Sequence, residues 1–173
     1  MSVFTTQGDG NRLWLVADLH SKHAQGLAEI VPFDLLLYDE LVDQQIRELL
    51  RQLTSRELPR TINIETIVEE SFVLVALDPE RTRVVSMGVL TPAGSSFLGR
   101  KGIIEEIVTH RDHRGRGHAR RIMHLLIGTA WHFRLKELWL TSNSNKPDRQ
   151  GAIKLYKSEG FTEPDTTLLT RKL

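Results

Sequence analysis

The spacing of hydrophobic positions changes near residue 33. The run GLAEIV, ending at Pro32, predicts a first strand. From Phe33, leucines and isoleucines recur every three or four residues through FDLLLYDELVDQQIRELLRQL, which predicts an amphipathic helix with Asp34 as an early cap. Two β-rich runs follow, SFVLVAL and RVVSMGVL, and the proline-containing turn DPERT between them predicts a hairpin.

In the second half of the chain, predicted strands and helices alternate. GIIEEIVTH and KELWLTS predict strands. Between them, apolar residues spaced along one helical face predict a helix, and these residues are Ala119, Ile122, Met123, Leu126, Ala130 and Phe133. DRQGAIKLYKSEG predicts a helix stopped by Gly160, and FTEPDTTLLTRKL predicts a hairpin-like tail. The pattern indicates a mixed α/β domain with one strand–turn–helix–strand crossover.

Composition narrows the class of protein. A chain of 173 residues, 40% hydrophobic and 26% charged, fits one globular domain. The absence of cysteine excludes disulfides, thiol nucleophiles and thiolate metal sites. No apolar run approaches the roughly 20 residues of a membrane helix, and the first residues lack the pattern of a secretory signal. We therefore expect a cytoplasmic protein that does not bind membranes.

The stretch HRDHRGRGHARR places five arginines and two glycines between a predicted strand and a predicted helix. The first N–H groups of a helix have no intrahelical partner, and the helix dipole makes that end electropositive. Gly115 and Gly117 let the backbone approach a ligand closely. Arg114, Arg116 and Arg120 add positive charge. The stretch predicts an anion site, for which phosphate is the usual occupant.

Other interpretations of this stretch fit less well. A Walker-type loop does not occur, and Arg120 stands where the dinucleotide fingerprint needs its third glycine. A nucleic-acid-binding module is an alternative, but the net charge of only +1 disfavours it. A metal site at His110, His113 and His118 is disfavoured because the neighbouring arginines would repel a cation.

The hexad from Arg114 to Ala119, R-x-x-G-x-A, resembles the acetyl-CoA motif of the GCN5-related N-acetyltransferases (GNAT), which is Gln/Arg-x-x-Gly-x-Gly/Ala. Val108 lies six residues before Arg114, as is usual in that family. Downstream, AIKLYKSEGF is similar to the family pattern A-x-x-L-Y-x-x-x-G-F, with matches at Ala152, Leu155, Tyr156, Gly160 and Phe161. Together the two segments cover roughly residues 70–173.

The resemblance implies the GNAT fold, an α/β (α+β) architecture. Its mixed, mostly antiparallel twisted sheet would have about six to seven strands flanked by helices, with the fourth and fifth strands splayed apart. Residues 1–173 would form one N-acetyltransferase domain. Within it, 1–25 would be an extension with a candidate strand over Arg12–Ala17, 26–70 the first strand and the substrate-side helices, and 71–173 the sheet and the acetyl-CoA-binding core.

The implied activity is direct transfer of the acetyl group of acetyl-CoA to a primary amine of a small molecule, protein or peptide. The family needs no metal, and its members occur as monomers and homodimers; no nucleic-acid partner is expected. A non-catalytic acyl-CoA sensor is the alternative. The resemblance assigns to the cofactor Ile107, Val108, Thr109, Arg114, Gly115, Arg116, Gly117, His118, Ala119, Arg120 and Arg149. His118 replaces the usual apolar residue, and Arg149 stands where many members carry asparagine.

The resemblance also implies the catalytic groups. Tyr156 would protonate the departing thiolate. Glu105 and Glu106 lie on the strand expected to line the cleft, and regular alternation would put Glu105 on one face with Ile107 and Glu106 on the other with Val108. Position in the family favours Glu105 as the base, directly or through water.

Overall fold

The computed structural model describes residues 29–33, 39–54, 57–58, 67, 70–94, 99–143, 145–165, 167 and 169–171. The chain forms two compact units, Met1–Leu140 and Thr141–Leu173. The expected strand at Arg12–Ala17 and the expected helix cap Asp34 lie outside the described residues.

The first unit is built on a five-stranded sheet within the described ranges. Its strands are β1 (Ile30–Pro32), β2 (Phe72–Leu77), β3 (Val84–Ala93), β4 (Lys101–Thr109) and β5 (Glu137–Leu140), which lie side by side in chain order. All neighbours are antiparallel except β4 and β5, which are parallel. The mixed, mostly antiparallel sheet is confirmed, with five strands among the described residues where six to seven were expected for the whole chain. The predicted hairpin-like tail is wrong for the C-terminal residues that are described, because none of them forms a strand.

Helix α1 (Glu40–Arg51) packs on one face of this sheet. It begins where the side chain of Asp39 accepts a hydrogen bond from the N–H of Val42 at 2.9 Å, which satisfies one of the unpaired amides of the first turn. Ile46 and Leu49 are buried against sheet residues that include Met87. The helix predicted from the periodicity is therefore confirmed, and its described part begins at Glu40.

Helix α2 (His118–His132) packs on the opposite face and buries Ile122, Met123 and Leu126 completely. The close approach depends on Gly88, where a Cβ would lie 2.5 Å from Ile107 Cδ1 and 2.7 Å from the side chain of Ile122. Any larger residue at Gly88 would push α2 away from the sheet. The glycine thus fixes α2 closely against β3 and β4.

The second unit contains a short 3-10 turn (Pro147–Arg149) and helix α3 (Gln150–Ser158). Gly160, with a φ of 87°, follows the helix end and adopts the left-handed conformation that favours glycine. The predicted helix and its stop are confirmed. In the described part of the chain, no helix is both long and apolar enough to cross a membrane.

Candidate functional site

Strand β4 contains a β-bulge at the two candidate glutamates. Val89 pairs with Glu105 and Met87 pairs with Val108, so β4 holds one extra residue in this interval. Glu106 has a φ of 55°, the left-handed conformation expected at such an insertion. The predicted alternation is therefore wrong: Glu105 shares a face with Val108, because their partners Val89 and Met87 share one.

The third and fourth strands stay paired to the end of β4, whereas the pairing of β4 with β5 stops at Ile104. The last pair between β4 and β5 is Ile104 with Leu140, and β4 continues to Thr109. Since the N–H of His110 donates to the carbonyl of Val85, strand alternation turns the N–H and C=O of Thr109 away from β3. As splayed fourth and fifth strands would require, no described strand pairs with this side of β4 after Ile104, which leaves an unpaired backbone edge on β4.

The backbone carbonyls along this part of β4 differ in their partners. The Val108 carbonyl accepts a hydrogen bond from the Ser86 hydroxyl at 2.7 Å, within the sheet. The Thr109 carbonyl accepts one from Arg114 Nε at 3.2 Å. Of the three residues assigned to the pantetheine arm, Val108 thus directs its carbonyl toward β3, while Thr109 presents its own at the open edge.

The two glutamates differ in their surroundings. Glu105 is exposed, whereas Glu106 is half-buried. Burial raises the pKa of the Glu106 carboxyl above its ordinary 4.5, and the nearby charge of Glu105 raises it further. A carboxylate with a raised pKa is a better proton acceptor, so the chemistry of the two positions is not equivalent.

The loop after β4 is compact. A 3-10 turn (Arg111–His113) is followed by Gly115 and Gly117, which have φ values of 76° and 80°. A Cβ at either glycine would meet no described atom within 4 Å, so open space lies beside both. Gly117 is the N-cap of α2, and it provides no side-chain acceptor for the first-turn amides.

The first turn of α2 lacks acidic residues and carries Arg120 and Arg121. Cations at this end oppose the helix dipole and are unfavourable by themselves. An anion at the same end would be stabilised by the amides and by the arginines together. The loop in which the sequence predicts an anion site therefore combines open space, left-handed glycines and excess positive charge.

Two arginines of the loop are held by neighbouring groups. Arg114 donates from Nε to the Thr109 carbonyl and from Nη2 to Gln52 Oε1, at 3.2 Å in both cases. Arg116 Nη2 lies 3.4 Å from the Asp112 carbonyl. Both arginines are exposed.

His110, at the start of the loop, is buried and hydrogen-bonds to Glu48 of α1 and to the backbone of Asp112. It is 3% exposed, and its Nε2 lies 2.9 Å from Glu48 Oε1 while Arg83 Nη2 lies 2.7 Å from Glu48 Oε2. The N–H of Asp112 donates to His110 Nδ1 at 3.3 Å, so the hydrogen-bond pattern places the ring proton on Nε2. The hydrogen bond that Glu48 accepts from His110 lowers the pKa of the Glu48 carboxyl, and the contact with Arg83 lowers it further. Burial raises this pKa, but the net shift is downward.

His118 lies in the first turn of α2 and is 5% exposed. Its Nδ1 is buried and has no hydrogen-bond partner within the described residues. Burial lowers the pKa of His118, and the charge of Arg121 lowers it further. The position that the family usually fills with an apolar residue is thus filled by a buried imidazole whose neutral form is favoured.

The three histidines of the stretch do not form a metal centre in the described ranges, where no group of three or more His, Cys, Asp or Glu side chains is placed to hold an ion. His110 is instead bonded to Glu48, and its ring meets that of His113 edge-on at 5.8 Å.

In the second unit, Tyr156 lies on α3 and is half-buried. Burial raises its pKa above 10.0, against a smaller lowering by the charge of Arg149. Its ring packs edge-on against Phe161, with centroids 6.4 Å apart. Arg149 Nε lies 4.0 Å from Asp148 Oδ2.

Sequence reasoning missed three residues that hold the loop, namely Glu48, Gln52 and Arg83. Glu48 lies 62 residues before its partner His110, and Gln52 lies 62 residues before its partner Arg114. Arg83 lies 27 residues before His110. Glu48 and Gln52 resemble any polar residue on the solvent face of an amphipathic helix, so no local signal marked them.

Comparison with known families gives one match. The model of the acetyltransferase (GNAT) family matches residues 37–161, which is more than half of the chain and includes residues of both units. No curated protein sequence matches the chain.

Several solved structures have the same fold. An acetyltransferase from Trypanosoma brucei superposes with a TM-score of 0.64 at 17% identity, covering 83% of this chain and 99% of that chain. Glucosamine-6-phosphate N-acetyltransferase from Arabidopsis thaliana gives 0.63 at 15% identity, with 82% and 96% covered. A predicted acetyltransferase from Clostridium acetobutylicum, solved with acetyl-CoA, gives 0.58 at 16% identity, with 82% and 94% covered. At these identities the likeness shows the fold.

Proposed function

Since the chain belongs to the GNAT acetyltransferase family, we propose that it transfers the acetyl group of acetyl-CoA directly to a primary amine of a small molecule, protein or peptide. The observation that carries this proposal is the continuity of two features. The exposed edge of β4 leads directly into a loop whose left-handed glycines and basic helix start suit phosphate. A ligand with an extended amide-containing arm and a pyrophosphate matches both.

The loop would bind the pyrophosphate. Backbone amides between Gly115 and Ala119 would donate to the phosphate oxygens, with Arg114 and Arg116 adding charge-assisted hydrogen bonds. Open space beside Gly115 and Gly117 fits this role, since close approach of a phosphate requires a position without a side chain. Arg120 and Arg149 are further candidates for the phosphates.

The open edge of β4 would bind the pantetheine arm. An extended ligand can add to an exposed strand edge through main-chain hydrogen bonds. The Thr109 carbonyl faces this edge and accepts from Arg114. A carbonyl oxygen has two lone pairs, so it can accept a second hydrogen bond from an amide of the arm while it holds Arg114.

The chemical step needs one proton acceptor and one donor. The ammonium form of the acceptor must lose a proton before its nitrogen attacks the acetyl carbonyl, and the thiolate that leaves must gain one. We propose Glu106 as the base, in preference to Glu105, because its pKa is raised toward the working range. Tyr156 would supply the proton to the thiolate, and its raised pKa keeps it protonated at neutral pH.

The test is an assay of CoA release with acetyl-CoA and a panel of simple amines, polyamines, amino sugars and peptide N-termini. Because the chain has no cysteine, a thiol reagent reports released CoA without background from the protein. Amine-dependent release is expected. Tight binding of acetyl-CoA with no release for any amine would favour the sensor alternative, and no binding of acetyl-CoA would contradict the proposal.

A further inference from the structure

Gln52 connects α1 to the phosphate loop. It follows the last residue of α1, and its amide is oriented by a hydrogen bond from Nε2 to the Glu48 carbonyl at 3.3 Å. This contact turns Oε1 toward the loop. There Oε1 accepts from the backbone N–H of Arg111 at 3.0 Å and from Arg114 Nη2 at 3.2 Å.

Arg114 is thereby held on two sides. Its Nε donates to the Thr109 carbonyl and its Nη2 donates to Gln52. A guanidinium is planar and carries five N–H donors in a fixed fork, so two contacts define its plane. The remaining donors keep a set direction, which reduces the entropy lost when an anion binds.

A second contact from the same helix supports the loop. Glu48 lies four residues before Gln52 and therefore on the same helical face. It binds His110, whose other ring nitrogen accepts from the N–H of Asp112. Glu48 on α1 and Gln52 just after it thus hold three successive residues of the loop, His110, Arg111 and Asp112.

We propose that Gln52, supported by Glu48, is a positioning residue for acetyl-CoA. It sets the guanidinium plane of Arg114 and the backbone at Arg111, so that α1 controls affinity for the phosphates of the cofactor. This inference rests on the proposed function. It assigns a role in cofactor binding to Gln52, which lies 62 residues before Arg114 in the chain.

The test compares Gln52→Ala with Gln45→Ala. Gln45 is a matched control because it is a glutamine of α1 whose side chain, like that of Gln52, hydrogen-bonds to backbone groups of another segment. Its Oε1 accepts from the N–H of Val84 at 2.9 Å and its Nε2 donates to the Thr82 carbonyl at 3.3 Å, in the turn before β3. Each variant loses side-chain hydrogen bonds to another segment of the first unit, but only Gln52→Ala loses hydrogen bonds to the phosphate loop.

Calorimetric titration would measure the Kd of CoA and of pantetheine, which lacks the phosphates, with thermal unfolding recorded for both variants. We expect Gln52→Ala to weaken CoA binding about three- to tenfold and to leave the Kd of pantetheine unchanged, while Gln45→Ala changes neither. Equal CoA affinities in the two variants, or a parallel loss of pantetheine affinity in Gln52→Ala, would overturn the inference. Failure of the wild-type protein to bind CoA would instead overturn the proposed function.

A double-mutant cycle tests whether Gln52 acts through Arg114. In an Arg114→Ala background, Gln52→Ala should weaken CoA binding less than it does in the wild type, because the guanidinium that it orients is gone. Independent, additive losses would show that Gln52 does not position Arg114.

Discussion

Glu106 combines two costly features at one residue. Its φ of 55° is in the left-handed region, which a non-glycine residue adopts at a cost of roughly 1 kcal/mol or more. It is half-buried, and it lies at the bulge that breaks the alternation of β4. Costs of this kind persist where function requires them, which favours Glu106 over Glu105 as the base.

Glu106→Gln is expected to lower kcat by about 100-fold, the lower range for loss of general base catalysis. Glu105→Gln, the adjacent matched change, should have a much smaller effect. The acid limb of the pH dependence of kcat/KM should disappear only in Glu106→Gln. Equal losses in the two variants would contradict the assignment.

The same residue gives a prediction for stability. Because the folded pKa of Glu106 is raised above 4.5, the folded state holds the proton to higher pH than the unfolded chain. The stability gained is fully present below pH 4.5 and is lost as the pH rises through the folded pKa. At pH 7 Glu106→Gln should therefore unfold at a higher denaturant concentration than the wild type. An equal or lower midpoint would show that the buried charge of Glu106 does not destabilise the folded state.

Tyr156→Phe removes only the hydroxyl and should keep the packing against Phe161. We expect kcat to fall about 100-fold with the Kd of acetyl-CoA unchanged, measured by steady-state kinetics and calorimetry. Turnover equal to that of the wild type, at unchanged affinity, would exclude Tyr156 as the acid.

Among the elements, α2 is adapted to binding at its start and to packing along its length. Its cap residue is Gly117, its first turn is basic, and its apolar face is buried on the sheet. A cap of Ser, Thr or Asp would stabilise the helix better, since those side chains accept from the first-turn amides. The absence of such a cap leaves these amides available to an anion.

Gly117→Val tests this start of the helix, and Gly128→Ala is its control. At Gly117, with a φ of 80°, a β-branched residue forces the backbone out of the left-handed region, so CoA affinity should fall about tenfold or more while the fold is kept. Gly128 lies inside α2 with open space beside it, and Gly128→Ala should stabilise the protein by about 0.5–1 kcal/mol without changing CoA affinity. Calorimetry and denaturant unfolding measure both effects. Normal CoA binding by Gly117→Val would contradict the phosphate site.

At the scale of the whole molecule, CoA should stabilise the folded protein. At 100 times its Kd, a ligand that binds only the folded state adds about 2.7 kcal/mol. For a protein of this size that corresponds to a rise in Tm of about 5 to 10 °C, measured by differential scanning fluorimetry. Pantetheine at equal concentration should give a smaller shift and duplex DNA none. A larger shift with DNA than with CoA would revive the nucleic-acid alternative.

Local patterns in the sequence determined much of this protein. The helical spacing before Leu53, the glycines at 115 and 117, and the stop at Gly160 each predicted an element or a turn that the structure contains. These features follow from interactions within a few residues, which are visible in the order of side chains. The motif around Arg114 likewise predicted the phosphate loop and the family.

Tertiary structure decided what depends on distant partners. The extra residue in β4 is defined only by the register of β4 with β3. Regular alternation along the sequence therefore wrongly predicted which residues share a face of the sheet with Glu105 and Glu106. The contacts of Gln52 and Glu48 with the loop join residues about 60 positions apart, at sites that resemble an ordinary solvent-exposed helix face. The sequence by itself therefore determined where the glycine-bearing loop lies and predicted that it binds phosphate, while only the packing of α1 against the end of β4 decided how that loop is held.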